Sequence, residues 1–347
     1  MIGHAEIEQF LSANFPAQGP DKGLRLVARY DDAGMGLPPG RARLFIPDIH
    51  LLSVKAAKEF PKTGFKRTVD FKRFLKALAA FKDGSAGDLQ VFQIGDIFDL
   101  WRMRGSGGAK RKVEDVSADH ADILELLLFG PPDGCRASLL AGNHDYDIHN
   151  LAEWNSPRFL FLNDSPSGTS DALLIHGDAF DWVENFFPDA LQAAGVRLAK
   201  QASSGQHQLD HEDLIGVLAL NDTLPKKDNP IGAVQANLGD GGGGGVGKRF
   251  NVVPWSKNVG AVGKYFAAAA SMAFELLKRG RDVRLVICGH SHDARIVVGD
   301  RGDGVEMALM DCGAWLGECR FGVAAPLRPS AQVGVLVGND ARVYQLL

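Results

Sequence analysis

Short apolar runs alternate with amphipathic segments along most of the chain. Apolar residues at helical spacing predict a helix at 66–82, and a less regular helix is expected at 117–129. A glycine-containing turn between 333–337 and 342–346 predicts a C-terminal β-hairpin. The runs that predict buried strands cover 42–47, 89–94, 137–141, 172–175 and 283–288. This alternation is typical of a layered α/β fold, in which ligand sites lie at the carboxyl ends of strands.

Two stretches depart from the alternation. Residues 1–40 are rich in Gly, Pro and Asp and end in a Gly-Leu-Pro-Pro-Gly turn, so we interpret them as an N-terminal extension. Residues 179–280 combine helical-looking segments with polar, glycine-rich loops, which predicts an inserted, largely helical cap. The core domain would then comprise residues 41–178 and 281–347.

Five polar clusters directly follow predicted strands. They are Asp48-Ile49-His50, Gly95-Asp96-Ile97-Phe98-Asp99, Gly142-Asn143-His144-Asp145, His176-Gly177-Asp178 and Gly289-His290-Ser291-His292. Residues i and i+2 of an extended segment point to one side. Asp48 and His50 can therefore present two ligands to one space, and so can His290 and His292.

The clusters offer carboxylate, amide and imidazole groups. This ligand set of mixed hardness suits Mn, Fe, Zn or Co better than an ion bound by thiolates. Asp96 comes from the middle of the set and is the natural carboxylate to bridge two cations, because a negative group between them relieves their repulsion. Each cluster alone is equally typical of an ordinary polar turn. Their occurrence together, in this order, favours a metal centre.

Two other patterns resemble ligand-binding motifs. Residues 242–248 have the glycine and lysine spacing of a phosphate-binding loop, but Arg249 replaces the required Ser or Thr and no strand precedes them. His207 and His211 are spaced for one helix face, yet they lack the Glu of a zinc-binding pattern. We therefore expect neither a nucleoside-triphosphatase nor a second metal site, and interpret the glycine run 241–245 as a loop of the cap.

Composition limits the possible binding partners and the expected cellular compartment of the protein. The 347 residues are 45% hydrophobic and 23% charged, as in a folded globular protein. A formal net charge of −4 gives no general attraction for nucleic acid, so no nucleic-acid partner is expected. The four cysteines form no CxxC pair, and no signal peptide or membrane span is recognisable. We expect a cytoplasmic protein, for which peripheral contact with the inner face of the membrane stays compatible with the sequence.

In this order the five clusters resemble those of the calcineurin-like metallophosphoesterase superfamily, over about residues 42–347. The resemblance implies a β-sandwich flanked by helices that binds two divalent cations. One cation would be held by Asp48, His50, Asp96 and His292, and the other by Asp96, Asn143, His176 and His290. The resemblance also implies that His144 contacts the phosphate or protonates the leaving group, assisted by Asp145. Asp99 and Asp178 are expected to orient the ligands from behind.

Finer features are similar to the branch that contains UDP-2,3-diacylglucosamine diphosphatase. These are Trp101, the extension of the fourth cluster to Asp181, and the segment Asp311-Cys-Gly-Ala-Trp315. Members that act in lipid A synthesis typically carry Arg at the position of His144, and the cap here looks longer. Protein Ser/Thr phosphatases carry Asp-Arg-Gly where this chain has Asp99-Leu-Trp, so that activity is not expected.

The function expected is hydrolysis of a phosphate anhydride or ester, such as a UDP-sugar lipid, by in-line attack of a hydroxide shared between the cations. We expect manganese, with Fe, Zn, Co and Mg as alternatives. The substrate would be a phosphorylated small molecule or a lipid-linked phosphate, and apolar cap residues such as Trp182 would either face an acyl chain or pack the cap itself. The alternatives are a phosphodiesterase or phosphatase acting on nucleotides or small esters, and a binding protein without activity.

Overall fold

The computed structural model places two β-sheets face to face and covers both outer faces with helices. It describes residues 2–15, 23–32, 35–37, 41–59, 65, 67–85, 87–100, 103, 108–145, 148, 151, 154, 156–163, 170–180, 259–278, 280–292, 294–316 and 331–346. No helix in these ranges is long and apolar enough to cross a membrane.

The described strands and helices follow one another in mixed order along the chain. The strands are β1 (Leu24–Asp31), β2 (Ala42–Ile46), β3 (Leu89–Ile94), β4 (Ser138–Leu140), β5 (Phe159–Phe161), β6 (Asp171–Ile175), β7 (Val283–Cys288), β8 (Arg295–Asp300), β9 (Glu306–Asp311), β10 (Gln332–Val337) and β11 (Asp340–Leu346). The helices are α1 (His4–Asn14), α2 (Val54–Glu59), α3 (Thr68–Gly84), α4 (Ala109–Asp119), α5 (Ala121–Leu128) and α6 (Val259–Lys278), with a 3₁₀ turn at Asp178–Phe180.

The first sheet has the strand order β1-β11-β10-β2-β3-β4, and the second has the order β5-β6-β7-β9-β8. In the first sheet β2, β3 and β4 are parallel, and in the second β6, β7 and β9 are parallel. Antiparallel strands complete both sheets. The carboxyl ends of the parallel strands therefore gather at one rim of each sheet, where ligand sites form in such folds.

Alternation along the strands builds three apolar layers. In β2, Phe45 points between the two sheets, where it stacks on Phe92 of β3 with ring centroids 5.7 Å apart. Its neighbours Leu44 and Ile46 point the other way, towards α1, α3 and α5. On the far side α6 covers the outer face of the second sheet. The result is the mixed α/β sandwich flanked by helices that the sequence predicted.

The predicted strands are all present, and the predicted hairpin is β10 and β11. The single helix expected at 117–129 is instead the pair α4 and α5. The chain leaves the helical conformation at His120, where φ is −129° and ψ is 29°. The first helix begins as early as Ala109, but its start is dominated by Lys and Arg, so its apolar spacing is weak. Among the side chains of α4 that the structure describes, Val113 and Val116 are the buried hydrophobic ones.

The N-terminal segment, which the sequence suggested was an extension, supplies α1 and β1. Strand β1 pairs antiparallel with β11 at the edge of the first sheet. On α1, Ile7 and Leu11 are fully buried, and Phe10 stacks on Phe81 of α3 with ring centroids 4.5 Å apart. The described parts of this segment therefore belong to the core. Ile7, Phe10 and Leu11 stand at helical spacing, but the pattern covers only three turns and was overlooked beside the Gly, Pro and Asp of the segment.

At the C-terminal end of the predicted cap, residues 179–280, the structure also differs from the prediction. Its last part forms α6, which packs on the second sheet because the fully buried Ala269 and Ala273 let the helix approach Val283 and Val286 closely. Residues 181–258 of the predicted cap, including the glycine run and His207 and His211, lie outside the described residues. That they form a cap stays a prediction.

Candidate metal centre

Strand ends of both sheets deliver the predicted ligands to one place. Asp48 follows β2, Asp96 follows β3 and Asn143 follows β4, all in the first sheet. His176 follows β6, and His290 and His292 follow β7, in the second sheet. The carboxylates of Asp48 and Asp96 and the ring of His176 are buried almost completely. The seven predicted side chains, which also include His50, therefore meet where the rims of the two sheets come together.

The backbone at this rim adopts unusual conformations. His50, Asp96, His290 and His292 have φ values of 53°, 49°, 70° and 56°, in the left-handed region that residues with a Cβ seldom adopt. Such conformations cost free energy and persist where the surrounding structure imposes them, which is often at functional sites. The local geometry is therefore set by the site rather than by intrinsic preference.

Two glycines allow the carboxylates to sit where they do. A Cβ on Gly142 would lie closer than 3.0 Å to Asp96 Oδ1, and a Cβ on Gly289 would lie equally close to Asp48 Oδ1. Real Cβ atoms essentially never come so near another heavy atom. The glycines of the third and fifth clusters are thus required by the positions of the aspartates across the site.

The first group of ligand atoms comprises Asp48, His50 and His292. His292 Nε2 lies 3.1 Å from Asp48 Oδ2 and 3.2 Å from His50 Nε2. Two nitrogens that each bind one ion at about 2.1 Å stand roughly 3.0–3.4 Å apart, so this spacing suits ligands of one cation. The backbone N–H of His290 donates to both oxygens of Asp48, at 3.1 Å each.

The second group comprises Asp96, His176 and His290, with Asn143 beside it, and a third combines Asp96 and His50 with His144. His176 Nε2 lies 3.3 Å from Asp96 Oδ2 and 3.1 Å from Asn143 Oδ1. His176 Nδ1 donates to the carbonyl oxygen of Ile94 at 2.8 Å, which leaves the lone pair of Nε2 directed at the site. Asp96 Oδ2 is also 3.5 Å from His50 Nε2, so this carboxylate touches both groups.

The buried aspartates and histidines of the site shift one another's pKa values, so that the aspartates are held ionised and positive charge beside them is favoured. Burial alone would raise the pKa of Asp48, but the charge of His176 and hydrogen bonds from His292 and His50 hold this pKa well below its ordinary value. Burial likewise opposes ionisation of Asp96, and the neighbouring histidines, led by His176, lower its pKa. Burial acts to lower the pKa of His176, yet the charges of the two aspartates raise it well above its ordinary value.

Among the described residues, neither buried aspartate has a lysine or arginine partner. Two buried carboxylates favour positive charge beside them, which protonated histidines or bound cations can supply. Carboxylate, amide and imidazole donors suit a divalent ion of borderline hardness. The donor set therefore fits the two divalent cations expected from the sequence.

His144 lies at the edge of the site, and its carboxylate partner differs from the expected one. Its Nδ1 contacts Asp99 Oδ1 at 2.9 Å, and its ring meets His50 edge-on with centroids 4.6 Å apart. The sequence paired His144 with Asp145, but Asp145 accepts backbone N–H bonds from Gly142 and Phe98, at 2.7 and 3.2 Å. Burial and the charge of Asp96 raise the pKa of Asp145 to about 7. Asp99 therefore orients the imidazole, and Asp145 holds two loops together.

The remaining predicted residue of the site, Asp178, pairs with Arg158 of the segment before β5. Its charge acts on His176, which immediately precedes the Gly177 turn. Trp101 and Asp181, singled out in the sequence, lie outside the described residues. The expectation that Asp178 orients a ligand stays a prediction.

Two residues at the site were named in the sequence only as members of motifs, and their contact with each other was missed. Ser291 stands between His290 and His292, and its hydroxyl donates to the carboxylate of Asp311. Asp311 ends β9, a parallel strand of the second sheet, so its position at the same rim follows the rule that located the other clusters. The signal was hidden because β9 itself was not predicted.

A comparison with protein families gives a match over the part of the chain that contains this site. The family described as calcineurin-like phosphoesterase matches residues 43–294. The matched segment begins in β2 and includes every residue predicted as a metal ligand, from Asp48 to His292. No curated protein matches the chain.

Proposed function

The chain belongs to the calcineurin-like phosphoesterases, and on this premise we propose that its two ligand groups hold a pair of divalent cations for hydrolysis of a phosphate ester or anhydride. Members of the family are metal-dependent phosphoester hydrolases, and this protein is one of them. The proposed ligands of one ion are Asp48, His50, Asp96 and His292, and those of the other are Asp96, Asn143, His176 and His290. Manganese is the proposed metal, because it accepts this mixture of oxygen and nitrogen donors.

The observation that carries the proposal is the position of Asp96. Its Oδ2 lies 3.5 Å from His50 Nε2 and 3.3 Å from His176 Nε2, so one carboxylate contacts both ligand groups. Its Oδ1 accepts the backbone N–H of His144 at 2.9 Å, which fixes the plane of the carboxylate. A bridging carboxylate is what a two-ion centre requires to hold two like charges close together.

When bound, the cations would activate a water molecule and neutralise charge on the phosphate. The protein residues hold that arrangement and handle the proton of the leaving group. Because His144 Nδ1 is bound to Asp99, the other ring nitrogen, Nε2, is the atom that would protonate the leaving oxygen. The side chain of His144 is 11% exposed, so it is open to a substrate. Asp99 holds the ring in the orientation that this proton transfer needs.

The proposed substrate is a nucleoside diphosphate linked to a lipid-bearing sugar. Support comes from the likeness of the Asp311–Trp315 segment to that branch of the family. In this structure Trp315 is fully buried between Phe71 and Phe74, so the segment supports the likeness through packing and not through contact with a substrate. Residues 179–258 would form the cap that selects the lipid.

One observation favours a second candidate, hydrolysis of nucleotides or other small phosphate esters. This chain has a histidine, oriented by Asp99, where lipid A enzymes typically have arginine. A proton donor matters most when the leaving group is an alkoxide, as in an ester, because a phosphate released from an anhydride leaves readily without one. The His144–Asp99 pair is therefore better suited to ester substrates.

The proposal is tested by elemental analysis of the purified full chain together with hydrolysis of bis-p-nitrophenyl phosphate, with and without added manganese. We expect about two ions per chain and manganese-dependent turnover. Asp96→Asn should lose both, whereas Asp31→Asn, a matched change at an exposed carboxylate of β1, should keep both. A wild-type protein without metal or turnover after reconstitution would instead support the binding-protein alternative.

Substrate class is tested by parallel assays of the manganese-loaded protein. UDP-diacylglucosamine would be supplied in detergent micelles, and nucleotide monoesters and diesters in buffer. Detergent-dependent release of UMP from the lipid substrate would support the first candidate. Turnover of the soluble esters alone would support the second.

A further inference from the structure

The segment 311–315 lies beside the proposed metal centre and contacts strand ends of both sheets. Its first residue, Asp311, ends β9 in the second sheet, directly opposite Cys288 at the end of β7. At its other end, Trp315 donates its backbone N–H to the carbonyl oxygen of Asp48 at 2.8 Å, and Ala314 forms a β-bridge with Asp48. The segment thus joins the strand ends that carry Asp48 and the histidine pair.

The side chain of Ser291 connects the histidine turn to this segment. Ser291 lies between His290 and His292, which both have positive φ values, of 70° and 56°. The backbone N–H of Ser291 donates to Gly289 O at 2.8 Å, and its hydroxyl donates to Asp311 Oδ2. The turn is conformationally unfavourable on its own, so a contact from outside is needed to keep it in one shape.

Asp311 is itself rigidly placed. Its side chain is almost completely buried, and its Oδ1 accepts the backbone N–H of Gly313 at 3.0 Å. Arg295 at the start of β8 lies nearby, with Nη2 3.9 Å from Asp311 Oδ2 and 3.4 Å from Ser291 Oγ. A carboxylate fixed by a strand end, a backbone N–H and a nearby guanidinium makes a firm anchor for the serine hydroxyl.

We propose that Asp311 is a positioning residue that acts through Ser291 to hold His290 and His292, and that it thereby sets the affinity of both metal sites. The two histidines belong to different ligand groups, His292 with Asp48 and His290 with Asp96. The hydrogen bond from Ser291, which stands between the two histidines, to Asp311 therefore controls one ligand of each ion. This inference rests on the proposed function, because it concerns ligands of the proposed ions.

The test measures manganese binding to the purified full chain by isothermal titration. In Ser291→Ala the anchor is lost while both histidines remain, and we expect affinity to fall by about 10- to 100-fold, the usual effect of removing a group that orients a metal ligand. Ser291→Thr keeps the hydroxyl and should restore most of the affinity. Asp311→Ala should weaken binding as Ser291→Ala does, and the double variant should be no worse than either single one, since the residues act in series.

The chain offers a matched control at the opposite end of the same sheet. Ser170, just before β6, donates its hydroxyl to Asp282 Oδ2 at 3.1 Å, just before β7. These positions lie at the amino ends of the strands whose carboxyl ends carry His176 and His290. Ser170→Ala removes a comparable Ser–Asp bond about 15–20 Å away along the strands, so manganese affinity should not change.

Thermal unfolding of the metal-free variants separates loss of the anchor from loss of the fold. Unchanged affinity in a folded Ser291→Ala protein would overturn the inference while leaving the proposed function intact. So would a Thr variant as weak as the Ala variant, or equal losses in Ser170→Ala. A wild-type chain that binds no manganese would instead overturn the proposed function, and the inference with it.

Discussion

His144 and Asp99 form a hydrogen-bonded pair at the edge of the metal centre, with 2.9 Å between Nδ1 and Oδ1. They come from clusters that follow different strands, β4 and β3, which lie side by side in the first sheet. Asp145, next to His144 in the sequence, points instead to the backbone N–H groups of Gly142 and Phe98. The imidazole is therefore oriented by a neighbour across the sheet, and its reactivity should depend on Asp99.

Replacing His144 should harm catalysis in a way that depends on the leaving group. For an ester with an alkoxide leaving group, His144→Ala should lower kcat by about 10²- to 10⁴-fold, the usual contribution of a general acid. With p-nitrophenyl esters, whose phenolate leaves without a proton, the loss should be much smaller. The measurement is kcat for the two ester types at saturating manganese.

Asp99→Asn provides the companion prediction for this pair. The ring stays in place but loses its anionic partner, so kcat for alkoxide esters should fall by about 10- to 100-fold. Because Asp99 Oδ2 also lies 3.9 Å from Nδ1 of the proposed ligand His50, kcat is compared at saturating manganese, with the bound metal measured in parallel. Equal losses for both leaving groups would count against a proton-donating role of the pair.

Gly142→Ala should disturb the metal centre although it adds only one carbon. The new Cβ would lie closer than 3.0 Å to Asp96 Oδ1, so the carboxylate that is proposed to bridge the two ions must move. We expect manganese affinity to fall by at least about tenfold, measured by titration of the metal-free protein. Gly84→Ala in α3 is the matched control, since no atom lies within 4 Å of its added Cβ. Its affinity should equal that of the wild type.

The N-terminal helix should contribute to stability rather than act as a dispensable extension. Leu11 is fully buried in the same apolar cluster as Phe71 and Phe74. Leu11→Ala should lower the free energy of unfolding by about 2–5 kcal/mol, because it leaves a cavity. Urea denaturation of the metal-free protein measures this value. The exposed neighbour Ser12 is the control, where Ser12→Ala should change stability by no more than about 0.5 kcal/mol.

Asp340 should make the free energy of unfolding vary with pH in the acid range. Burial alone would raise its pKa, but hydrogen bonds from Arg342 and Arg29, at 3.0 and 2.9 Å, hold this pKa below the ordinary value of 3.8. A lowered folded-state pKa means that the stabilisation is fully present above pH 3.8 and is lost as the pH falls through the lower value. Asp340→Asn should therefore cost about 1–3 kcal/mol at neutral pH.

The difference in the free energy of unfolding between Asp340→Asn and the wild type should shrink as the pH falls below 3.8. Urea denaturation in the presence of a chelator, repeated along the acid range, measures it without interference from metal release. A difference that stays constant down to the lowest pH would show that Asp340 acts through packing rather than through its charge.

The part of the fold that could be predicted is the part with strong local patterns. Strands β2, β3 and β7 are short, mostly apolar runs with clear boundaries, and their positions followed directly from the sequence. Strand β5 has three residues, too few for any periodicity, and β9 reads Glu-Met-Ala-Leu-Met-Asp, which suits a helix equally well by residue type. These strands form because neighbours that are distant in sequence supply their partners.

The same distinction applies to the candidate site. The ligand clusters could be located because each follows a strand, and the structure brings their side chains together. The partner of His144 and the contact between Ser291 and Asp311 depend on which strands are adjacent, which the local sequence does not specify. The role of Asp145 beside His144 therefore stays a prediction, whereas the contact of His144 with Asp99 is visible only in the structure.

The order of strands in the first sheet also determines when the protein can fold during synthesis. Strand β2 is made early, yet one of its two neighbours, β10, comes from the far end of the described chain. Asp48 likewise accepts the N–H of His290, which lies 242 residues later. A nascent chain that has not reached β10 therefore exposes an open edge of β2, a site where strands of other molecules can attach. We expect chaperones to be needed on the ribosome until β10 and β11 emerge.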